Sequence, residues 1–294
     1  MSERIFNEDF FKKLNKINMN INFKLSSGTQ GGRKSKAKGV SVEFSDYREY
    51  APGDDFRRID WNAYGRFDKF FIKVFMEERE GVFNFFVDKS KSMDYGNKNK
   101  KDTALKVVAA LSYIALNNLD RVNISTMDNG DIQSIKSAAG NKAFQRILRE
   151  LENIEFDGKT DLTKSIKKRP LTPRGVSVVV SDFLNNDGLK DLEDALKYLA
   201  FKKQDIILVQ ILSNEEIDPE FNNEITFIDS ETGENVKMSL TPSLIKEYKN
   251  TLKSYKKSIE DITRKYGGKF ISVNSSMEIE EIILGEFSKK RVLY

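Results

Sequence analysis

Asp88, Ser90 and Ser92 form a D-x-S-x-S pattern directly after the apolar run of residues 82–87 (VFNFFV). Carboxylate and hydroxyl oxygens in that pattern suit a hard cation. They equally suit an ordinary turn closed by local side-chain to backbone hydrogen bonds. Two further oxygen-bearing residues occupy loop positions: Thr160, in FDGKTDLTKSI before a short helix, and Asp182, in VSVVVSDFLNNDG just past a second apolar run. The 294 residues include no His and no Cys. That excludes a Cys nucleophile, a disulfide, a thiolate metal site, a Ser-His-Asp triad and a His-ligated zinc. Any metal must be oxygen-ligated, as Mg²⁺, Ca²⁺ or Mn²⁺ are. Acid–base work would fall to Asp, Glu, Lys or Tyr.

These residues need a scaffold. From Gly81 onward, short apolar runs alternate with long amphipathic stretches. Strands are predicted at residues 82–87, 122–126, 176–180, 206–212 and 270–273, with an edge-like strand at 132–137. Helices are predicted at 102–117, 141–151, 162–168, 189–201, 243–266 and 277–288. The longest stops before Gly267-Gly268, which suit a helix end. This alternation predicts an α/β fold whose parallel-rich sheet is covered by helices on both faces. Ligands in such folds sit at the carboxyl ends of strands. Function is therefore sought after Val87, Val180 and Leu212. Between 213 and 242 the pattern breaks, and residues 225–229 and 236–240 predict an inserted β-hairpin. The division expected is a region of residues 1–80 and a domain of residues 81–294.

Together Asp88, Ser90, Ser92, Thr160 and Asp182 resemble the metal-ion-dependent adhesion site of von Willebrand factor A domains. The resemblance implies a von Willebrand factor A-like, Rossmann-type fold and Mg²⁺, or Mn²⁺ or Ca²⁺, held by those five residues. Two carboxylates only neutralise a divalent ion, so the metal stays electrophilic toward an acidic oxygen from a partner. That is a docking device more than a catalytic one. Lys89 and Lys91 flank the pattern and would weaken cation binding if turned toward it. Asp94 receives no ligand role.

Upstream, residues 39–75 read GVSVEFSDYREYAPGDDFRRIDWNAYGRFDKFFIKVF. Glu43-Phe44, Arg48, Tyr50, Pro52-Gly53-Asp54-Asp55, Arg57, Ile59-Asp60-Trp61 and Arg66 resemble the signature of the family called domain of unknown function fifty-eight. Its members join that signature to a von Willebrand A-like domain. The hairpin with its E-T-G-E turn and the long charged helix after it also resemble the family, so the likeness runs from about Gly31 to the C-terminus. Physically, Pro52-Gly53-Asp54 is a tight turn. The interleaved Arg and Asp residues read as a structural network of ion pairs with Trp61 as an apolar anchor.

The remaining signals are bland. Residues 31–39 (GGRKSKAKG) are basic, but the chain carries 49 Lys plus Arg against 45 Asp plus Glu. That balance reads as a solvated loop on a mixed surface, with no nucleic acid partner expected. The segment lacks the G-K-[ST] ending of a P-loop, and no intrinsic ATPase activity is expected. Residues 7–21 place Phe10, Phe11, Leu14 and Ile17 on one helical face, and the last helix does the same with Ile279, Ile282, Ile283 and Phe287. Both read as packing faces. The N-terminus lacks signal-peptide features, and uncharged stretches such as 107–119 are too short and polar to span a bilayer. A cytoplasmic protein without membrane insertion is expected.

The reading is a non-enzymatic, metal-dependent interaction adaptor. The family resemblance implies a MoxR-type AAA+ ATPase as partner, with the pair acting in assembly or maturation of a client protein. One alternative is a metal-dependent hydrolase using Asp54, Asp55 and Asp60 to activate water. The other is a metal-free interaction domain.

Overall fold

The computed structural model describes residues 5–18, 43–76, 81–184, 188–219, 225–228, 235–238 and 241–293. The basic segment 31–39 and the hairpin turn at 229–234 lie outside them. The chain forms two compact units, Met1–Ser27 with Gly81–Tyr294, and Gly28–Glu80. This differs from a cut at residue 80 alone. Helix α1 (Glu8–Asn18) belongs with the larger unit, because its apolar face is used there: Phe10, Leu14 and Ile17 are buried in that unit's core.

The smaller unit contains strand β1 (Glu43–Glu49), helix α2 (Trp61–Phe67) and strand β2 (Phe71–Met76). The two strands pair antiparallel with one irregularity between Phe44 and Asp46. Asp60 caps α2, accepting from the backbone N–H groups of Asn62 and Ala63, and its other oxygen accepts from the Tyr47 hydroxyl at 2.8 Å. Asp54 accepts from Arg48 at 2.8 Å and from the Ala51 N–H. Asp55 caps the next turn, with Arg57 3.7 Å away. Of the expected Arg–carboxylate network, two pairs are seen among the described residues, Arg48–Asp54 and Arg57–Asp55. Trp61 is not the expected apolar anchor, since it is 62% exposed, packing edge-on against Tyr64 and Phe70.

The larger unit continues with β3 (Val82–Asp88), α3 (Lys100–Asn117), β4 (Arg121–Asp128), β5 (Asp131–Ala139), α4 (Phe144–Glu152) and α5 (Leu162–Lys168). There follow β6 (Val176–Ser181), α6 (Gly188–Phe201), β7 (Asp205–Leu212) and the short α7 (Asn214–Ile217). The hairpin β8 (Ile225–Ile228) and β9 (Asn235–Met238) is antiparallel, and α8 (Pro242–Lys265) and β10 (Lys269–Asn274) complete the run. The predicted last helix contains a π-helical segment at Glu281–Phe287.

Six strands form one sheet in the order β10-β7-β6-β3-β4-β5, all parallel except β5. Numbered along the chain within this sheet, the order is 3-2-1-4-5-6, the doubly wound arrangement. Successive strand residues point to opposite faces. Phe83, Phe85, Val87, Val178, Val180, Val209 and Ile211 enter the core under α1, α3 and α4. Phe86, Val179, Ile206 and Leu208 enter the core under α5, α6 and α8. Each fully buried side chain of this size contributes about 1.5–3 kcal/mol, which fixes the strand ends that carry polar residues. Helix α8 stops where Gly267 turns to φ +73° and Gly268 leaves no room for a side chain, since a Cβ there would lie 2.8 Å from Thr263.

Candidate functional site

Strand order reverses between β3 and β6, the switch point at which doubly wound sheets open a crevice. Asp88 ends β3, and Asp182 directly follows β6. Both side chains are nearly fully buried. Asp88 Oδ1 accepts from the Ser90 N–H at 2.8 Å and from the Thr160 hydroxyl, and Oδ2 accepts from the Ser181 hydroxyl at 2.5 Å. The Ser90 and Ser92 hydroxyl oxygens lie 3.0 Å apart, one donating to the other. Thr160 is brought in because its loop pairs with the segment after β3. Gly158 bridges to Ser90, and the Lys91 N–H donates to the Gly158 carbonyl at 2.9 Å.

Asp182 is positioned by its own loop. The Leu184 N–H donates to Asp182 Oδ1 at 3.1 Å, and the Gln210 amide donates to the Asp182 carbonyl at 2.9 Å. Phe183, buried and at φ +54°, holds a left-handed conformation that costs a non-glycine residue about 1–3 kcal/mol. Its N–H donates to Ser181 Oγ, and its carbonyl accepts from the Tyr255 hydroxyl at 2.6 Å, so the neighbouring elements fix the turn.

Residues 46–258 match the family described as protein of unknown function DUF58. The chain belongs to this family. The match begins inside the upstream signature and ends within α8, narrower than the span from Gly31 to the C-terminus. Uncharacterized protein Rv1480 of Mycobacterium tuberculosis is 22% identical over 286 residues, covering 95% of this chain and 89% of that protein. Uncharacterized protein Mb1516 of Mycobacterium bovis shows the same figures. Among solved structures, BatB from Bacteroides thetaiotaomicron is 16% identical, covers 71% of this chain and 98% of its own, and has a TM-score of 0.46. The SpRpn10 VWA domain is 9% identical, covers 70% and 94%, and has a TM-score of 0.41. The fold of this DUF58 chain is α/β, a doubly wound sheet with the antiparallel edge strand β5.

All five expected residues in the DUF58 chain lie at the carboxyl edge of the sheet. Asp88 bonds directly to Ser90 and Thr160, while Asp182 reaches it through electrostatics. Burial and the Asp182 charge push the Asp88 carboxyl up from its ordinary range, against the hydrogen bonds from Ser181, Thr160 and Ser90. The donor set fits a hard divalent cation: oxygen atoms alone, two carboxylates and three hydroxyls. Among the described residues, no group of three or more carboxylate, imidazole or thiolate side chains is placed to hold a metal.

Lys89 does not crowd the site. Its ammonium lies 3.0 Å from Asp128, and Lys91 is exposed. Asp94 pairs with Lys101 at 2.8 Å. Four neighbours of the site lay outside the sequence reading: Ser181, Gln210, Lys100 and Glu216. Ser181 had a usable signal, being a hydroxyl residue at the same strand end as Asp182. Lys100 had none, since it stands in the charged run NKNKKD, which reads as solvated surface.

Proposed function

We propose that this DUF58 chain is a non-enzymatic, metal-dependent adaptor that docks acidic groups of partner proteins at the carboxyl edge of its sheet. The observation that carries this is the convergence of Asp88, Ser90, Ser92, Thr160 and Asp182 at the switch point between β3 and β6. Those five would hold Mg²⁺, or Mn²⁺ or Ca²⁺, and the bound ion would offer an electrophilic position to a partner's carboxylate. The residues themselves orient the donors. Ser181, Gln210 and Tyr255 hold the two strand-end loops, and Ser90, Ser92 and Thr160 supply neutral oxygens that leave the cation under-neutralised.

The signature in residues 43–66 supports a MoxR-type AAA+ ATPase as partner, through the family resemblance, with a client protein that the pair assembles or matures. The reading places this work in the cytoplasm. Among the described residues, no helix is long and apolar enough to cross a membrane. The hydrolase alternative is disfavoured because Asp54, Asp55 and Asp60 each serve a local bond, to Arg48, to the Arg57 turn and to the start of α2.

Calorimetric titration of Mg²⁺ into the wild-type chain and Asp88→Ala tests the site. Specific heat in the wild type, absent in a folded variant, is expected, and identical curves would sink the metal reading. Affinity capture with and without EDTA, with mass-spectrometric identification, tests the partner. Recovery of no AAA+ ATPase under either condition would sink that part.

A further inference from the structure

Asp182 already faces a cation. Lys100, the first residue of α3, has no exposed side-chain surface, and its ammonium lies 2.8 Å from Asp182 Oδ2 and 2.7 Å from Glu216 Oε1. The other oxygen of Glu216 accepts from the Ser213 N–H at 2.8 Å, within a capping box that starts α7. One ammonium therefore ties together the start of α3, the loop after β6 and the helix after β7. Two things oppose a cation there. Burial of an ammonium is costly unless its partners are charged and well placed. The amino end of a helix also carries partial positive charge, which disfavours Lys at that position. The two carboxylates must outweigh both effects.

We propose that Lys100 is a resident counter-cation of this site: it holds Asp182 and Glu216 together in the absence of a metal and competes with a divalent ion for Asp182. The inference rests on the adhesion-site reading of Asp88 and Asp182 and concerns how tightly that site binds. Its consequence is a strand-end structure that persists without metal and a deliberately modest metal affinity.

The test uses the full chain as wild type, Lys100→Met, Glu216→Gln and Lys101→Met, each titrated with Mg²⁺ by calorimetry and melted in EDTA and in Mg²⁺. Lys101 pairs with Asp94 and controls for loss of a nearby positive charge. Lys100→Met is expected to bind Mg²⁺ at least about tenfold tighter than wild type, because Asp182 is released to the metal. It should melt lower in EDTA and recover in Mg²⁺. Glu216→Gln leaves the ammonium to Asp182 alone and should bind more weakly, by about threefold or more. Lys101→Met should change affinity by less than about twofold.

A folded Lys100→Met that binds no tighter than wild type overturns the inference and leaves the metal reading standing. So does Lys101→Met tightening as much as Lys100→Met. If Lys100→Met does not fold, Glu216→Gln decides: weaker binding supports the inference, and unchanged or tighter binding overturns it. Binding by Lys100→Met but not by wild type supports the inference while removing the metal-loaded reading of the wild type. No binding by any form overturns both.

Discussion

The Ser181 hydroxyl donates to Asp88 Oδ2 across the β6–β3 pair at 2.5 Å, and the same oxygen accepts from the Phe183 N–H. One side chain thus fixes both the carboxylate that ends β3 and the left-handed turn that aims Asp182. Removing it leaves a buried carboxylate oxygen without this donor and the turn without its acceptor. Ser181→Ala is expected to cost about 1.5–3 kcal/mol in metal-free buffer, the range for a hydrogen bond to a charged group. Urea unfolding followed by far-ultraviolet circular dichroism checks it, and a loss below about 0.5 kcal/mol would show that the clamp is not limiting.

Much of this arrangement was legible in the sequence because the sheet is apolar on both faces. Runs such as VFNFFV and IILVQIL are strands with little ambiguity, and the residues just after them are the strand ends where doubly wound folds act. The antiparallel edge β5 showed as a weaker, partly polar run. What the sequence did not reveal depends on long-range pairing. Lys100 meets Asp182 across 82 positions, and nothing in the local pattern distinguishes it from Lys98 or Lys101. Trp61 failed as an anchor for a related reason. A lone aromatic in a charged segment carries no period, so its exposure is decided by tertiary context.

The docking of α1 rests on its apolar face more than on its ion pairs. Lys13 lies 2.6 Å from Asp9 and 2.7 Å from Glu278. Hydrogen bonds to Asp9 and Glu278 hold the Lys13 ammonium above its ordinary 10.5, so its contribution is present below that pH and lost as pH rises through the higher folded value. The hydrogen bond from Lys13 holds Glu278 below its ordinary 4.5, so its contribution is present above 4.5 and lost as pH falls through the lower folded value. The window is therefore bounded by 4.5 and 10.5. Because the carboxylates are exposed, Lys13→Met is expected to cost less than about 1 kcal/mol at pH 7, and the cost should fade at pH 3 and in high salt. Leu14→Ala, at a fully buried position, is expected to cost about 2–5 kcal/mol at both pH values. Denaturant titrations at pH 7 and pH 3 decide between them.

The smaller unit has its own reporter, since Trp61 is the single tryptophan. Asp60 caps the helix that Trp61 begins and holds the Tyr47 hydroxyl. Asp60→Ala is expected to lower stability by about 1–2 kcal/mol, the range for losing a strong N-cap, and to shift the Trp61 fluorescence transition to lower denaturant. Asp55→Ala removes the cap of a single exposed turn and should move that transition by less than about half as much. Equal shifts would mean that the two carboxylates are interchangeable turn residues.

Thr160 separates a metal ligand from a mere neighbour. Its hydroxyl donates to Asp88 Oδ1, and both residues belong to the proposed ligand set. Thr160→Val keeps the shape and removes only the hydroxyl. It is expected to weaken Mg²⁺ binding by about tenfold or more, equivalent to about 1.4 kcal/mol. Ser181 bonds to the same carboxylate but is outside the proposed ligand set. Ser181→Ala should therefore lower metal-free stability and weaken Mg²⁺ binding less than Thr160→Val does, since it disturbs the placing of two ligands without removing one. Calorimetry on both folded variants reads the difference. If both weaken binding equally, the hydroxyl of Thr160 serves only to orient Asp88, and the ligand set reduces to the strand-end carboxylates with Ser90 and Ser92.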